Sequence, residues 1–192
     1  MKHLLIFLLT ILLSNHVCAQ KGIEKLSAQK IDSLQHVRVD TIVHYSSYCG
    51  ECDILGKRNN CNMLSGYLLI DNILLYKQNG RYYTLTFDCT NNTVKQTLDS
   101  CQSIPYFLSI MQTLHARDKT IKTMFKKGRF LGPLIADGKF EDADIYVDHR
   151  KQNVSMSGSE KTDLYKIYKK YFWIDKQIKL LKLITADTGL KE

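Results

Sequence analysis

YLLIDNILLYKQNGRYYTLTFDC, Tyr67 to Cys89, is the stretch whose reading decides the fold. Two runs rich in β-branched, aliphatic and aromatic residues, Tyr67 to Tyr76 and Arg81 to Cys89, are separated by Lys77-Gln78-Asn79-Gly80. Asn-Gly between such runs is a strong hairpin signal, because both turn residues tolerate a positive φ. In the second run Tyr83, Leu85, Phe87 and Cys89 alternate with Tyr82, Thr84, Thr86 and Asp88, which predicts one buried and one wet face. Thr93 to Leu98 is expected to extend the hairpin into an antiparallel meander.

Working outward, Arg38 to Ser46 carries Val39, Thr41, Ile42, Val43 and Tyr45 and reads as another strand. Before it, Ile23, Leu26, Ile31 and Leu34 place an apolar stripe on a helix over Gly22 to Val37. Ser47 to Asn62, with three cysteines and little periodicity, reads as a stapled loop. After the meander, Ile104, Phe107, Leu108, Met111 and Leu114 share a helical face, with Ser103 and Pro105 at its start. A second helix is predicted around Asp118 to Lys127, with Ile121, Met124 and Phe125 inward and Gly128 as its stop. Asp144 to Asp148 and Asn153 to Ser157 suggest a hairpin turning near Arg150 to Gln152, with Asp137, Glu141, Asp142, Asp144 and Asp148 along a solvated edge. Leu164, Tyr168, Tyr171, Ile174, Ile178, Leu181 and Ile184 recur at helical steps and predict a long amphipathic C-terminal helix. The fold class expected is α+β: antiparallel hairpins packed against several helices.

Met1 to Ala19 reads as a cleaved secretory leader. Lys2 and His3 form a basic start, Leu4 to Leu13 is apolar apart from Thr10, and Ala19 precedes the expected new N-terminus Gln20. Residues 20–192 then form a single globular domain, exported to a periplasm or secreted. The 192-residue chain has formal charge +8, and loss of Lys2 lowers it to +7, which favours an acidic protein partner. Export and the lack of any zinc-finger, RNP or helix-turn-helix spacing argue against nucleic acid.

Cys18 leaves with the leader, so Cys49, Cys52, Cys61, Cys89 and Cys101 remain as disulfide candidates with one thiol over. Cys89 and Cys101 flank a short segment with an Asn91-Asn92 turn, and a bridge between them would contribute roughly 3 kcal/mol. Cys49-Gly50-Glu51-Cys52 after a strand resembles the active-site corner of thioredoxin-like oxidoreductases. That resemblance implies a redox pair in which Cys49 attacks and Cys52 resolves. The following residues, with Gly56, Asn59 and Asn60, are poor helix formers, so export favours a structural bridge here. His36, His44, His115 and His149 form no i,i+4 pair, H-E-x-x-H run or G-x-S-x-G neighbourhood, and no metal or cofactor is expected.

Arg117, Lys119, Lys122, Lys126, Lys127 and Arg129, with Lys166, Lys169 and Lys170 of the last helix, make the candidate partner-binding basic patch. The function expected is that of a non-enzymatic exported binding protein, such as an inhibitor or toxin-neutralising immunity protein of a bacterial envelope. The alternatives are the thiol–disulfide oxidoreductase and a peripheral anionic-membrane or glycan-binding protein using the lysine face.

Overall fold

The computed structural model describes residues 22–49, 63–64, 67–87, 92–127, 139–157 and 171–190. The expected leader with its Ala19–Gln20 cleavage point, Cys52, Cys61, Cys89, Arg129, Lys166, Lys169 and Lys170 lie outside these residues. Helix α1 covers residues 22–36. It is followed by β1 (Thr41–Cys49), β2 (Met63–Leu64), β3 (Tyr67–Gln78), β4 (Arg81–Phe87), β5 (Thr93–Leu98), α2 (Ser103–Lys126), β6 (Lys139–Val147), β7 (Arg150–Ser157) and α3 (Ile174–Asp187). The described strands form one antiparallel sheet in the order β5-β4-β3-β1-β6-β7, with β2 paired to β3.

The deciding hairpin forms as its turn chemistry requires. Asn79 and Gly80 both have positive φ, 51° and 77°, and Gln78 pairs directly with Arg81, so the loop has two residues. The meander continues through β5, whose register against β4 runs unbroken from Tyr82↔Leu98 to Phe87↔Thr93. The strand expected over Arg38 to Ser46 is displaced towards the C-terminus, because Val37 and Arg38 turn and the helix end feeds the sheet at Thr41. Ser47 to Cys49, expected in a loop, therefore belong to β1.

The expectation of one wet face is corrected in part: Thr84 is buried while Thr86 stays exposed, and over the centre of the sheet helices cover both faces. On one side Ile23, Ile31 and Leu34 of α1 pack on Ile42, Leu74, Tyr76, Leu85 and Phe87. On the other, Phe107, Ile110 and Leu114 of α2 and Leu180, Leu181 and Ile184 of α3 meet Val43, Tyr45, Leu75, Ala143, Ile145, Val154 and Met156. Strands in the middle of a two-sided sheet lose the polar alternation that a half-exposed strand keeps, which is why β3 carries the apolar run Ile73 to Tyr76 buried on both faces.

The second hairpin turns two residues earlier than expected. Asp148 and His149, with φ of 47° and 63°, connect Val147 to Arg150. Asp and His are among the few non-glycine residues enriched at positive φ, a weaker signal than Asn-Gly. Strand β6 lies between β1 and β7, so it is not a sheet edge. Glu141 consequently is buried and accepts a 3.0 Å hydrogen bond from the Tyr45 hydroxyl. Burial, with Glu141 beside it, pushes the Tyr45 phenol far above its ordinary range, so it stays protonated.

Among the described residues the long C-terminal helix is a 14-residue α3 beginning after Trp173. Tyr171 stacks on Trp173 at 4.8 Å with 9° between the rings, and Phe172 meets Trp173 edge-on at 4.9 Å. Three aromatics in succession make a packing corner there, with Trp173 buried and the amide of Ile174 turned back to the Tyr171 carbonyl. The helix ends in a Schellman motif: Gly189, at φ 69°, donates to Ala186, and Leu190 donates to Thr185.

Candidate functional site

Helix α2 sets the geometry of the basic patch, and it splits the residues the sequence had grouped. Arg117 is only 6 % exposed. Its Nε and Nη2 reach Asp118 at 2.9 and 2.7 Å, Nη1 donates to Gln177 Oε1 at 3.1 Å, and Nη2 donates to the Asn153 carbonyl at 2.5 Å. Gln177 also donates to the Ser155 carbonyl at 2.6 Å, and Gln152 donates to Asp118 at 2.6 Å. Arg117 is therefore a clasp joining α2, α3 and β7, and its place in the surface patch is corrected. Helical phase explains it: Arg117 follows Phe107, Ile110 and Leu114 on the inward side of α2.

Lys119, Lys122, Lys126 and Lys127 are exposed. Steps of three and four residues put Lys119, Lys122 and Lys126 on one outward stripe, in line with His115 and with Leu108, which is 46 % exposed. This corrects the inward place expected for Leu108; Ile110 is buried instead. Lys126 and Lys127 sit at the C-terminal end, where the helix dipole favours cations. Lys119 and Lys122 stand further back, beyond the reach of that effect. Like charges at such spacing disfavour the helix by roughly 0.2–0.5 kcal/mol per pair.

A second polar constellation lies on the α1 side of the sheet. Direct pairing of His44 with Asp144 and of Ser46 with Asp142 places these four side chains together on β1 and β6. His44 Nε2 is 3.1 Å from Asn72 Oδ1 and 3.5 Å from Ser46 Oγ. These contacts tie the His44 ring to the side chains of Asn72 and Ser46 on the same face of the sheet. Asn153 Nδ2 donates to Asp142 and Asp144 at 2.8 Å each, and Lys151 pairs with Asp144 at 2.6 Å. A cavity of about 420 Å³ opens between α1 and this floor, lined among others by Glu24, Asp32, His44, Asp144 and Tyr146. No group of three or more His, Cys, Asp or Glu among the described residues is arranged to hold a metal ion.

Burial lowers the pKa of His44, partly opposed by Asn72, Asp144 and Asp142; burial raises that of Asp142, opposed by Asn153. With a folded pKa below its ordinary value of about 6.5, His44 refuses a proton that the unfolded chain accepts. Its contribution to stability is therefore lost as pH falls from about 6.5 through the lowered value. Asp142 acts oppositely at lower pH, holding its proton more firmly when folded. His44→Gln is expected to flatten the loss of stability between about pH 7 and pH 5, read from urea midpoints at both. An unchanged pH slope would contradict this.

Cys101 is a buried thiol with no disulfide, and its expected partner Cys89 lies outside the described residues. The Cys101 thiol donates to Asp187 at 3.3 Å, and the same carboxylate accepts from the amides of Gln102 and Ser103 at 3.0 and 2.7 Å. Asp187, at the end of α3, thus caps the start of α2 and takes the role expected of Ser103. Cys49 is buried at the end of β1, paired with Leu68 and Lys139, and carries no free thiol.

The chain matches no protein-family model, no curated protein and no solved structure.

Proposed function

We propose that this is an exported binding protein that docks an acidic protein partner, in the manner of an inhibitor or toxin-neutralising immunity protein of a bacterial envelope. The observation that supports it is the outward stripe Lys119-Lys122-Lys126, which continues past His115 to Leu108. Lys119 and Lys122 are repaid neither by the helix dipole nor by an ion pair among the described residues. An electropositive stripe of this kind steers encounter with an acidic surface and loses strength with salt. The leader-like start of the sequence supports export, and Cys49 is read as one end of a structural bridge suited to that compartment.

The protein, immobilised and exposed to the envelope fraction of its host, is expected to retain an acidic protein at about 0.05 M salt and release it near 0.5 M. The triple variant Lys119→Glu, Lys122→Glu, Lys126→Glu should lose that retention with its circular dichroism melt preserved. Equal retention by both proteins would refute the reading.

A further inference from the structure

The two ends of the sheet are treated differently. At β7, the carbonyls of Asn153 and Ser155, two residues apart and so on the same side of the strand, are taken up from outside the sheet by Arg117 and Gln177. That edge is closed. At the other end Thr93 to Gln96 and Thr97 are exposed on both faces, and Val94 is 53 % exposed. No side chain among the described residues hydrogen-bonds to β5, and its register against β4 contains no bulge. Edge strands are commonly shielded by proline, a bulge, a covering element or inward charge, and among the described residues β5 has only Lys95 of these devices.

Lys95 is itself positioned. Its ammonium lies 4.0 Å from the Tyr83 ring centroid and 5.8 Å from that of Tyr76, on the α1 side, and the two rings stack at 5.5 Å. On the opposite side Lys77 lies 5.5 Å from the Tyr82 ring. With Arg81, exposed at the start of β4, three cations surround this end of the sheet, and Asp99 follows only after the strand has ended. Along β5 the pleat separates Thr93, Lys95 and Thr97 on the α1 side from Val94, Gln96 and Leu98 on the other.

We propose that the free edge of β5 is a docking strand for an extended segment of the acidic partner, one in which acidic residues alternate with apolar ones. Main-chain hydrogen bonds to β5 supply the attachment. The acidic positions lie beside Lys95, and the apolar ones beside Val94 and Leu98, giving the alternation of the segment its sense. This deepens the function proposed above and rests on it, but it involves a surface separate from the α2 stripe, so the two can fail separately.

The probe is a capped peptide, Glu-Val-Glu-Val-Glu-Val, titrated into isotope-labelled full-length protein, with a copy N-methylated at alternate amides and a Lys-Val counterpart as controls. Expected are saturable binding, slowed amide exchange in β5, loss of binding for the N-methylated copy, and a weakening of about fivefold in Lys95→Glu with a reversed preference for the Lys-Val peptide. The inference is overturned by absence of saturable binding, by equal affinity of the N-methylated copy, or by equal affinity of the Lys-Val peptide for the unaltered protein. It is also overturned by concentration-dependent protection of β5 without peptide, which would make a second copy the occupant. Perturbation confined to Lys119, Lys122 and Lys126 would sink the edge inference while leaving the acidic-partner reading standing.

Discussion

Arg117→Ala is expected to lower the free energy of unfolding by about 3 kcal/mol, whereas Lys122→Ala, little more than a turn along the same helix, should stay within about 0.5 kcal/mol. The difference does not come from the ion pair with Asp118, whose carboxylate is partly exposed and contributes little. It comes from the buried side of the guanidinium. Removing it leaves Gln177 Oε1 and the Asn153 carbonyl without their donor and opens a void where α2, α3 and β7 meet. Lysine should not rescue the loss, because three nitrogens of one planar group serve three partners in different directions. Urea midpoints with an unchanged m-value measure both variants. Equal, small effects would return Arg117 to the surface patch and contradict its role as a clasp.

The contrast between Arg117 and Lys122 also marks how far the sequence could be read. Elements written in local chemistry were legible: Asn79-Gly80 located a hairpin, and the stripe Ile23, Ile31, Leu34 located α1 against the sheet. Properties set by distant neighbours were not. The place of Arg117 depends on a glutamine 60 residues away and a carbonyl 36 away. The cap of α2 arrives from Asp187, about 85 residues later, and no local capping pattern points to it. Whether β6 is an edge or an interior strand depends on its pairing with β1, which decides whether Glu141 is wet or buried. Of the candidate site, the lysine stripe was visible as composition and spacing; the closed edge at β7 and the open one at β5 appear only once strand order is known.

Ala116→Pro tests the most consequential local correction, the fusion of two predicted helices into the 24-residue α2. The sequence invited a break here because Leu114 closes one apolar stripe, Ile121 opens the next, and His115-Ala116-Arg117-Asp118 between them looks polar. Burial of Arg117 resolves that gap. A guanidinium clasp occupies the inward position where an aliphatic residue would have carried the stripe forward, so the helix continues without an apolar signal. In a continuous helix the amide of residue 116 bonds the carbonyl of residue 112, and a proline ring there clashes with that carbonyl, costing about 3 kcal/mol or more. Leu114 and Arg117, both buried, would be displaced with the kink. At a joint between two separate helices the same proline would sit near a first-turn position and be nearly neutral. Ala116→Gly is the companion, expected to cost only about 1 kcal/mol, because glycine keeps the amide hydrogen bond and adds only the backbone entropy it loses in a helix. A proline variant as stable as the glycine one, by urea midpoint, would mean that α2 is not one rigid helix, and the outward stripe from Leu108 to Lys126 would lose its common face.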